Sequence, residues 1–184
     1  MISQIFLWLT VGSRRRRRRL FRALFEIIAR LSGHQAHWTF MNYGFANGMG
    51  PIRDIDLTPE EEAQRVCCQL YDEVAGAVVI ADRDVVEVSC GRGGGAAFVA
   101  RHKDPRTLTG VDIAPSAIEF CRRVHRLENL RFLQGDAECL PLFDESCDIV
   151  INIEASFCYG NFDRFLVEIH RVLRPGGYRH LDSP

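Results

Sequence analysis

Two carboxylates bracket a glycine-rich stretch, and their placement limits the chemistry this chain can do. Residues 85–95 read Val-Val-Glu-Val-Ser-Cys-Gly-Arg-Gly-Gly-Gly, an apolar run that feeds into a loop. Glu87 sits inside the run, and Asp112 ends the next strand-like run. At such a strand–loop–helix join, glycines admit positive φ and remove the Cβ atoms that would hold a nucleotide-like ligand away from the backbone. Carboxylates at these two places suit a ligand that offers hydroxyls and a cationic amine. They suit a pyrophosphate poorly.

That ligand chemistry is the chemistry of S-adenosylmethionine, although the loop alone does not decide the matter. Gly91-x-Gly93-x-x-Ala96 also satisfies a dinucleotide pattern with alanine in the third slot, and Asp112 lies 19 residues past Gly93, close to the spacing of a ribose-binding acid. The elements that follow are more informative. Periodicity and punctuation predict strands over 84–89, 107–112, 130–134 and 147–153, alternating with helices over 94–102, 115–126 and 161–173. Pro115 opens the second of these helices, and Arg174-Pro-Gly-Gly closes the third. Alternation of this kind predicts an α/β protein with a Rossmann-like, doubly wound, mostly parallel sheet. Its ligand should sit at the carboxyl ends of the strands.

Four motifs in this order make residues 84–178 similar to the class I S-adenosylmethionine-dependent methyltransferases with a type 11 methyltransferase domain: the glycine loop, Asp112, Gly135-Asp136-Ala137, and the strand ending Asn152-Ile153-Glu154. Within that class, Glu-Val-Ser-Cys-Gly-x-Gly-Gly-Gly and Asn-Ile-Glu-Ala-Ser-x-Cys-Tyr resemble the phthiotriol/phenolphthiocerol dimycocerosate methyltransferases, which O-methylate hydroxyls on long polyketide lipids. Ile153-Glu154-Ala155-Ser156 is also similar to sterol C-methyltransferases.

The resemblance implies roles residue by residue. Ser89, Gly91 and Gly93 let the loop pass beside the methionine and ribose portions of the cofactor. Members of the class commonly carry glycine at the position of Ser89, whereas the phthiotriol subfamily carries serine. Glu87 organises the loop or reaches the amino group, and its competing role is to cap nearby backbone amides. Asp112 accepts from the ribose hydroxyls, and its competing role is to cap the next helix. Ile113 packs on the adenine, Asp136 accepts from its exocyclic amine, and the Ala137 amide addresses a ring nitrogen. Asn152 and Glu154 face the methionine end and the acceptor pocket. The subfamily places a histidine two residues before the tyrosine of its Cys-Tyr pair; here that residue is Phe157, so no general base carries over. Glu154 is the nearest candidate for a base and His37 a weaker one.

Beyond this segment, charge is the strongest signal. The formal net charge is −1, yet Arg14–Arg19 is a run of six arginines with no other charge before Leu20, leaving −7 on residues 20–184. So acidic a body argues against specific nucleic-acid binding. Residues 18–31 read as an amphipathic helix with Leu20, Phe21, Leu24, Phe25, Ile27, Ile28 and Leu31 on one broad face. Such a helix either packs on the domain or, beside the arginine run, lies on an anionic membrane surface. Residues 37–50 are aromatic and glycine-rich, the composition of a segment that closes over a cofactor or lines a cleft. Thr58-Pro59-Glu60-Glu61 starts a helix running to about residue 74.

The organisation read from these features is an N-terminal extension over 1–57 and a methyltransferase domain over 58–184. Residues 5–11 are apolar but too few to cross a bilayer, and their charges follow rather than precede them, unlike a secretion signal. Seven cysteines with no C-x-x-C pair and no metal-ligand spacing read as buried free thiols of a reducing, cytoplasmic compartment, with peripheral membrane attachment through the arginines. Relative to the class, which continues with two further strands, the sequence stops within the fifth, where Arg179, His180 and Asp182 read poorly as a buried strand. The cofactor half is therefore expected to be complete and the acceptor half incomplete, with self-association through an open sheet edge. The leading expectation is methyl transfer to a hydroxyl of a lipid or polyketide. A catalytically inactive cofactor-binding fragment and a nicotinamide-dependent oxidoreductase are the alternatives.

Overall fold

The computed structural model describes residues 14–32, 35, 37–45 and 56–182, so the apolar stretch 5–11 and residues 46–50 of the aromatic segment lie outside it. Five strands form one sheet: β1 (Asp84–Val88), β2 (Thr107–Asp112), β3 (Leu130–Gln134), β4 (Cys147–Ile153) and β5 (Leu173–Asp182). Their order is β3-β2-β1-β4-β5, and every pairing is parallel. The central strand β1 has neighbours on both sides, Val86 opposite Thr109 of β2 and Val150 of β4.

Both faces of the sheet are apolar, as a parallel sheet requires. Side chains alternate between faces along a strand, so neighbours in sequence enter different cores. Val85, Ile149, Ile151 and Ile153 join Phe98, Leu108, Ile118 and Phe132 on one face. Val86, Val88 and Val150 join Phe165, Ile169 and Val172 on the other. The covering helices are α4 (Gly94–His102), α5 (Pro115–Val124) and α6 (Phe162–Val172). Asn161 caps α6, its side chain accepting from the Arg164 amide.

Residues 178–182 pair with β4, from Ile149 opposite Tyr178 to Ile153 opposite Asp182. Residues 175–179 are exposed. The start of β5 is fixed by Arg174, whose guanidinium donates to Asp84 and Asp148, both at 2.9 Å. Arg106 joins the same cluster through Asp84, and these cations hold the Asp84 carboxyl well below its ordinary range.

Preceding the sheet are α1 (Arg14–Leu31), α2 (Pro59–Glu62) and α3 (Arg65–Gly76). α1 begins within the arginine run, ahead of the residue that the apolar pattern marks. At the expected helix start, Thr58 and Glu61 form a capping box on α2. The single helix expected over 58–74 is broken at Ala63–Gln64. There the Gln64 amide leaves the helix, accepting from the Thr39 and Phe40 amides at 3.1 and 3.2 Å and donating to the His37 carbonyl at 2.8 Å.

Arg92, the residue between the two loop glycines, ties this N-terminal segment to the sheet. Its side chain is fully buried, with no carboxylate partner among the described residues. Instead it donates to the Trp38 carbonyl (2.6 Å), the Ser32 hydroxyl (2.9 Å) and carbonyl (3.2 Å), and the Gln35 carbonyl (2.8 Å). The guanidinium plane lies 3.6 Å over the Phe120 ring. A fork of five donors satisfies these acceptors at once, which a lysine cannot do. Arg92→Lys should therefore lower unfolding free energy in urea by about 2–3 kcal/mol, the scale of a lost hydrogen bond to a charged group. It should also expose the 31–39 segment to protease. An unchanged urea midpoint would show that the segment is held by other contacts.

Candidate functional site

At the carboxyl ends of β1, β2 and β4 lies a cavity enclosing about 1210 Å³, including the space at its open mouth. Its floor and one wall come from Ser89, Cys90, Gly91, Asp112, Ile113, Gly135, Asp136, Ala137 and Glu138. The facing wall is aromatic and apolar: Phe21 and Phe25 from α1, Met41 and Tyr43 from the segment after it, and Ile153, Phe157 and Tyr159 beyond β4. Phe21 stacks on Phe25 with centroids 6.2 Å apart and meets Phe157 edge-on at 6.4 Å.

The polar wall is built by backbone geometry. Gly91 and Gly93 have φ of 53° and 75°, and a Cβ on Gly93 would come within 2.9 Å of the Cys121 sulfur and the Phe132 ring. Gly91 turns its amide to Asp112 Oδ2 at 2.9 Å, while Asp112 Oδ1 accepts from the Ala114 amide at 2.9 Å. Asp112 thus holds the glycine loop and the Ala114 amide just ahead of α5 while still facing the cavity. Ser89 keeps a positive φ of 63° without being glycine, and its hydroxyl pairs with the Tyr159 hydroxyl at 2.8 Å.

Seven of the ten residues read from sequence line this cavity: Ser89, Gly91, Asp112, Ile113, Asp136, Ala137 and Glu154. Glu87, Gly93 and Asn152 stand behind it. Glu87 is buried and accepts from the Tyr71 hydroxyl at 2.5 Å, so Tyr71, not Glu87, faces the cavity. The Asn152 amide donates to the Val88 carbonyl (2.8 Å) and the Tyr159 hydroxyl (2.7 Å), joining β4 to β1 and to Tyr159. The amide nitrogen is thus used within the protein, behind the cavity wall. Glu154 accepts from the Tyr43 amide at 2.9 Å. His37 is exposed and does not line the cavity.

Three contributions are not legible from motif spacing. Tyr71 comes from α3, with no motif around it. Tyr159 stands inside the quoted Cys-Tyr string but carries no assigned role. The third is Arg18, which forms an ion pair with Asp136 and approaches Glu138 at 3.8 Å. The arginine run is therefore not wholly solvated, since Arg18 belongs to the cavity wall, as does Arg22 one turn further on.

The first turn of α4 bears on the ligand class. A pyrophosphate would need free amides at that helix N-terminus. Here the Gly94 amide donates to the Thr39 carbonyl at 3.1 Å, and a Cβ on Gly94 would meet Phe40 at 2.8 Å. The place is filled by the chain itself. The cavity instead offers carboxylates at Asp112 and Asp136, a half-buried Ile113 and a close-approach loop at Gly91, which fit a nucleoside with hydroxyls and an amine.

Comparison with known proteins agrees. A family model described as a methyltransferase domain matches residues 86–181, just over half of the chain. The phthiotriol/phenolphthiotriol dimycocerosates methyltransferase of Mycobacterium tuberculosis is 41% identical over 167 residues, covering 91% of this chain and 61% of that protein. A fatty-acid O-methyltransferase of Mycolicibacterium smegmatis is 45% identical over 139 residues, 76% of this chain and 50% of the relative. The chain thus spans roughly half to three-fifths of the relatives it matches. Among solved structures, a 4+2 cyclase superposes with a TM-score of 0.68 at 23% identity, covering 85% of this chain and 57% of its own. An S-adenosylmethionine-dependent methyltransferase from Aquifex aeolicus gives 0.53 at 18% identity, covering 57% and 58%. These two likenesses speak for the fold alone.

Burial pushes the Asp112 carboxyl up to about 6. It pushes Glu87 up to about 8, with the Asp112 charge adding to the effect. A carboxyl raised on folding keeps its proton where the unfolded chain has lost it. Stability is then fully present below the unfolded value and lost as pH rises through the folded one. Unfolding free energy of the ligand-free protein should fall from pH 5 to pH 8, with the part between 6 and 8 due to Glu87. Urea titrations of Glu87→Gln should be flat over that upper interval. A decline as steep as that of the parent would remove Glu87 as its source.

Proposed function

Because the chain belongs to the S-adenosylmethionine-dependent methyltransferases, as its methyltransferase-domain match shows, we propose that it transfers a methyl group to a hydroxyl of a hydrophobic lipid or polyketide. The observation that carries this is a single cavity with two unlike walls, one bearing buried carboxylates at the strand ends and the other aromatic. When bound, S-adenosylmethionine supplies an electrophilic methyl group, and what is asked of the protein is chiefly proximity and alignment.

Asp112 would take the ribose hydroxyls on the lone pairs left by Gly91 and Ala114. Ile113 would cover the adenine. Asp136 and the Ala137 amide would address the adenine edge once Arg18 gives way. Ser89 and Gly91 would run along the ribose and methionine portions, supported from behind by Gly93, Glu87 with Tyr71, and Asn152 with Tyr159. Glu154, beyond the end of β4, is the group best placed to take a proton from an acceptor hydroxyl. Phe21, Phe25, Met41, Ile153 and Phe157 would exclude water and hold an alkyl chain.

The relatives' printed names, a phthiotriol methyltransferase and a fatty-acid O-methyltransferase, support a lipid acceptor. They differ on the atom methylated. A carboxylate acceptor is the second reading, and Arg18 and Arg22 on the cavity wall favour it. A carboxylate is already ionised, so it needs a cation to hold it rather than a base to deprotonate it. Turnover of a labelled methyl donor with long-chain alcohols and with fatty acids separates the two readings. Incorporation into neither, with the cofactor bound, would leave a cofactor-binding protein without this activity.

Asp112→Ala should weaken S-adenosylmethionine binding about 10- to 150-fold, the value of hydrogen bonds to a charged group at 1.5–3 kcal/mol. Only the ionised carboxylate accepts from both hydroxyls. Affinity of the parent should therefore fall as pH drops below about 6, approaching tenfold per unit, and Asp112→Asn should not show this fall. Calorimetric titration from pH 5 to pH 8 reads both effects. Unchanged affinity in the alanine variant would remove Asp112 from the cofactor site.

A further inference from the structure

α1 has two working faces, and the cavity uses only one. Arg18, Phe21, Arg22 and Phe25 line the cavity, and Ala29 packs against Ala114 and Ala117. On the opposite side, Leu24, Ile27 and Leu31 are 41%, 54% and 79% exposed. These residues are three and four apart, so they form one row along a helix. The helix carries eight arginines and one acid, Glu26. Glu26 is turned inward, accepting from the Ser116 hydroxyl at 2.5 Å and the Ser116 amide at 3.2 Å. No acid of α1 is thus left to oppose an anion on the outer side. The cavity mouth continues the same character, because the exposed Met41 and Tyr43 share it with Arg18 and Arg22.

We propose that the outer face of α1 docks on an anionic lipid surface, the Leu24–Ile27–Leu31 row entering the headgroup boundary and the arginine run pairing with lipid phosphates. A cationic helix with an apolar row, low overall hydropathy and no acid on that row meets the requirements of an interfacial helix. Among the described residues no helix is long and apolar enough to cross a membrane, so the contact is peripheral. Since the inner face of the same helix forms the aromatic wall of the cavity, docking places the cavity mouth beside the bilayer. A lipid could then enter without crossing water. That last step rests on the lipid-acceptor reading above, whereas docking itself needs no turnover.

The test is co-sedimentation of the full chain with phosphatidylglycerol-containing vesicles and with pure phosphatidylcholine vesicles. The parent should pellet with the anionic vesicles and be released by salt, whose screening length shrinks to about 3 Å at molar concentration. Leu24→Ser/Ile27→Ser/Leu31→Ser should partition about tenfold or more weakly. Its S-adenosylmethionine affinity should match that of the parent, since none of the three residues lines the cavity. Replacing residues 14–17 by serine, with Arg18 kept, should abolish the preference for anionic vesicles. Failure of the parent to pellet, or equal pelleting of parent and triple-serine variant, would overturn the proposal. So would light scattering in which the serine variant converts an oligomer to a monomer while vesicle binding stays the same, because a second copy would then cover the row. A parent that methylates lipid without pelleting would refute only docking, and a parent that pellets without methylating lipid only the acceptor assignment.

Discussion

A buried cation with no counter-ion among the described residues organises this molecule. Transferring a guanidinium from water into the interior is costly unless every donor finds an acceptor. Burial, with the nearby Arg123 charge adding to it, pulls the Arg92 side chain below its ordinary range. The acceptors are supplied by Ser32, Gln35 and Trp38, far away in the chain. Folding of the glycine loop and ordering of the segment after α1 are thus one event. Once that segment is tied down, the Thr39 carbonyl covers the first turn of α4. The same tie leads α1 past Ser116 and across the cavity.

This dependence explains how the site divides its labour. The carboxylates that face the ligand are not free-standing, because Asp112 is held by two amides on either side of the strand end. Behind the wall, Glu87 with Tyr71 and Asn152 with Tyr159 form a second layer of polar groups. That layer has buried oxygens without protein partners at Glu87 Oε2 and Asn152 Oδ1. Such groups are expensive in a plain core and are usual where a polar ligand or water completes the set.

Local signals were enough for the elements and not for their partners. Strand and helix bounds from residue 84 to residue 153 agree closely with the pattern, because alternation, Pro115 and the glycines act within a few residues of themselves. Gly91, Asp112 and Asp136 were legible for the same reason: a strand end followed by a turn is a local event. Arg92 was not, since it fills the free position of a glycine motif and its partners lie more than fifty residues away. Nor was the break at Gln64, whose cause is the segment 37–40 rather than any helix-breaking residue. Asn152 was legible only as a polar residue near the end of a buried strand, and its bonds to Val88 and Tyr159 come from elements the spacing does not bring together.

Ser89 joins these threads at one position. Its φ of 63° is a conformation that glycine adopts freely and serine only against steric resistance. What offsets that resistance is the bond to Tyr159, itself held by Asn152 from β4. Burial raises the Tyr159 hydroxyl well above its ordinary range, so it stays protonated and serves as a neutral bridge. A glycine here would relax the loop but cut the link between β1 and the turn after β4, the turn that carries Phe157 into the aromatic wall. The strained serine therefore couples the wall that would hold the cofactor to the wall that would hold the acceptor, beside the Asn152 amide that joins Val88 to the same Tyr159 hydroxyl.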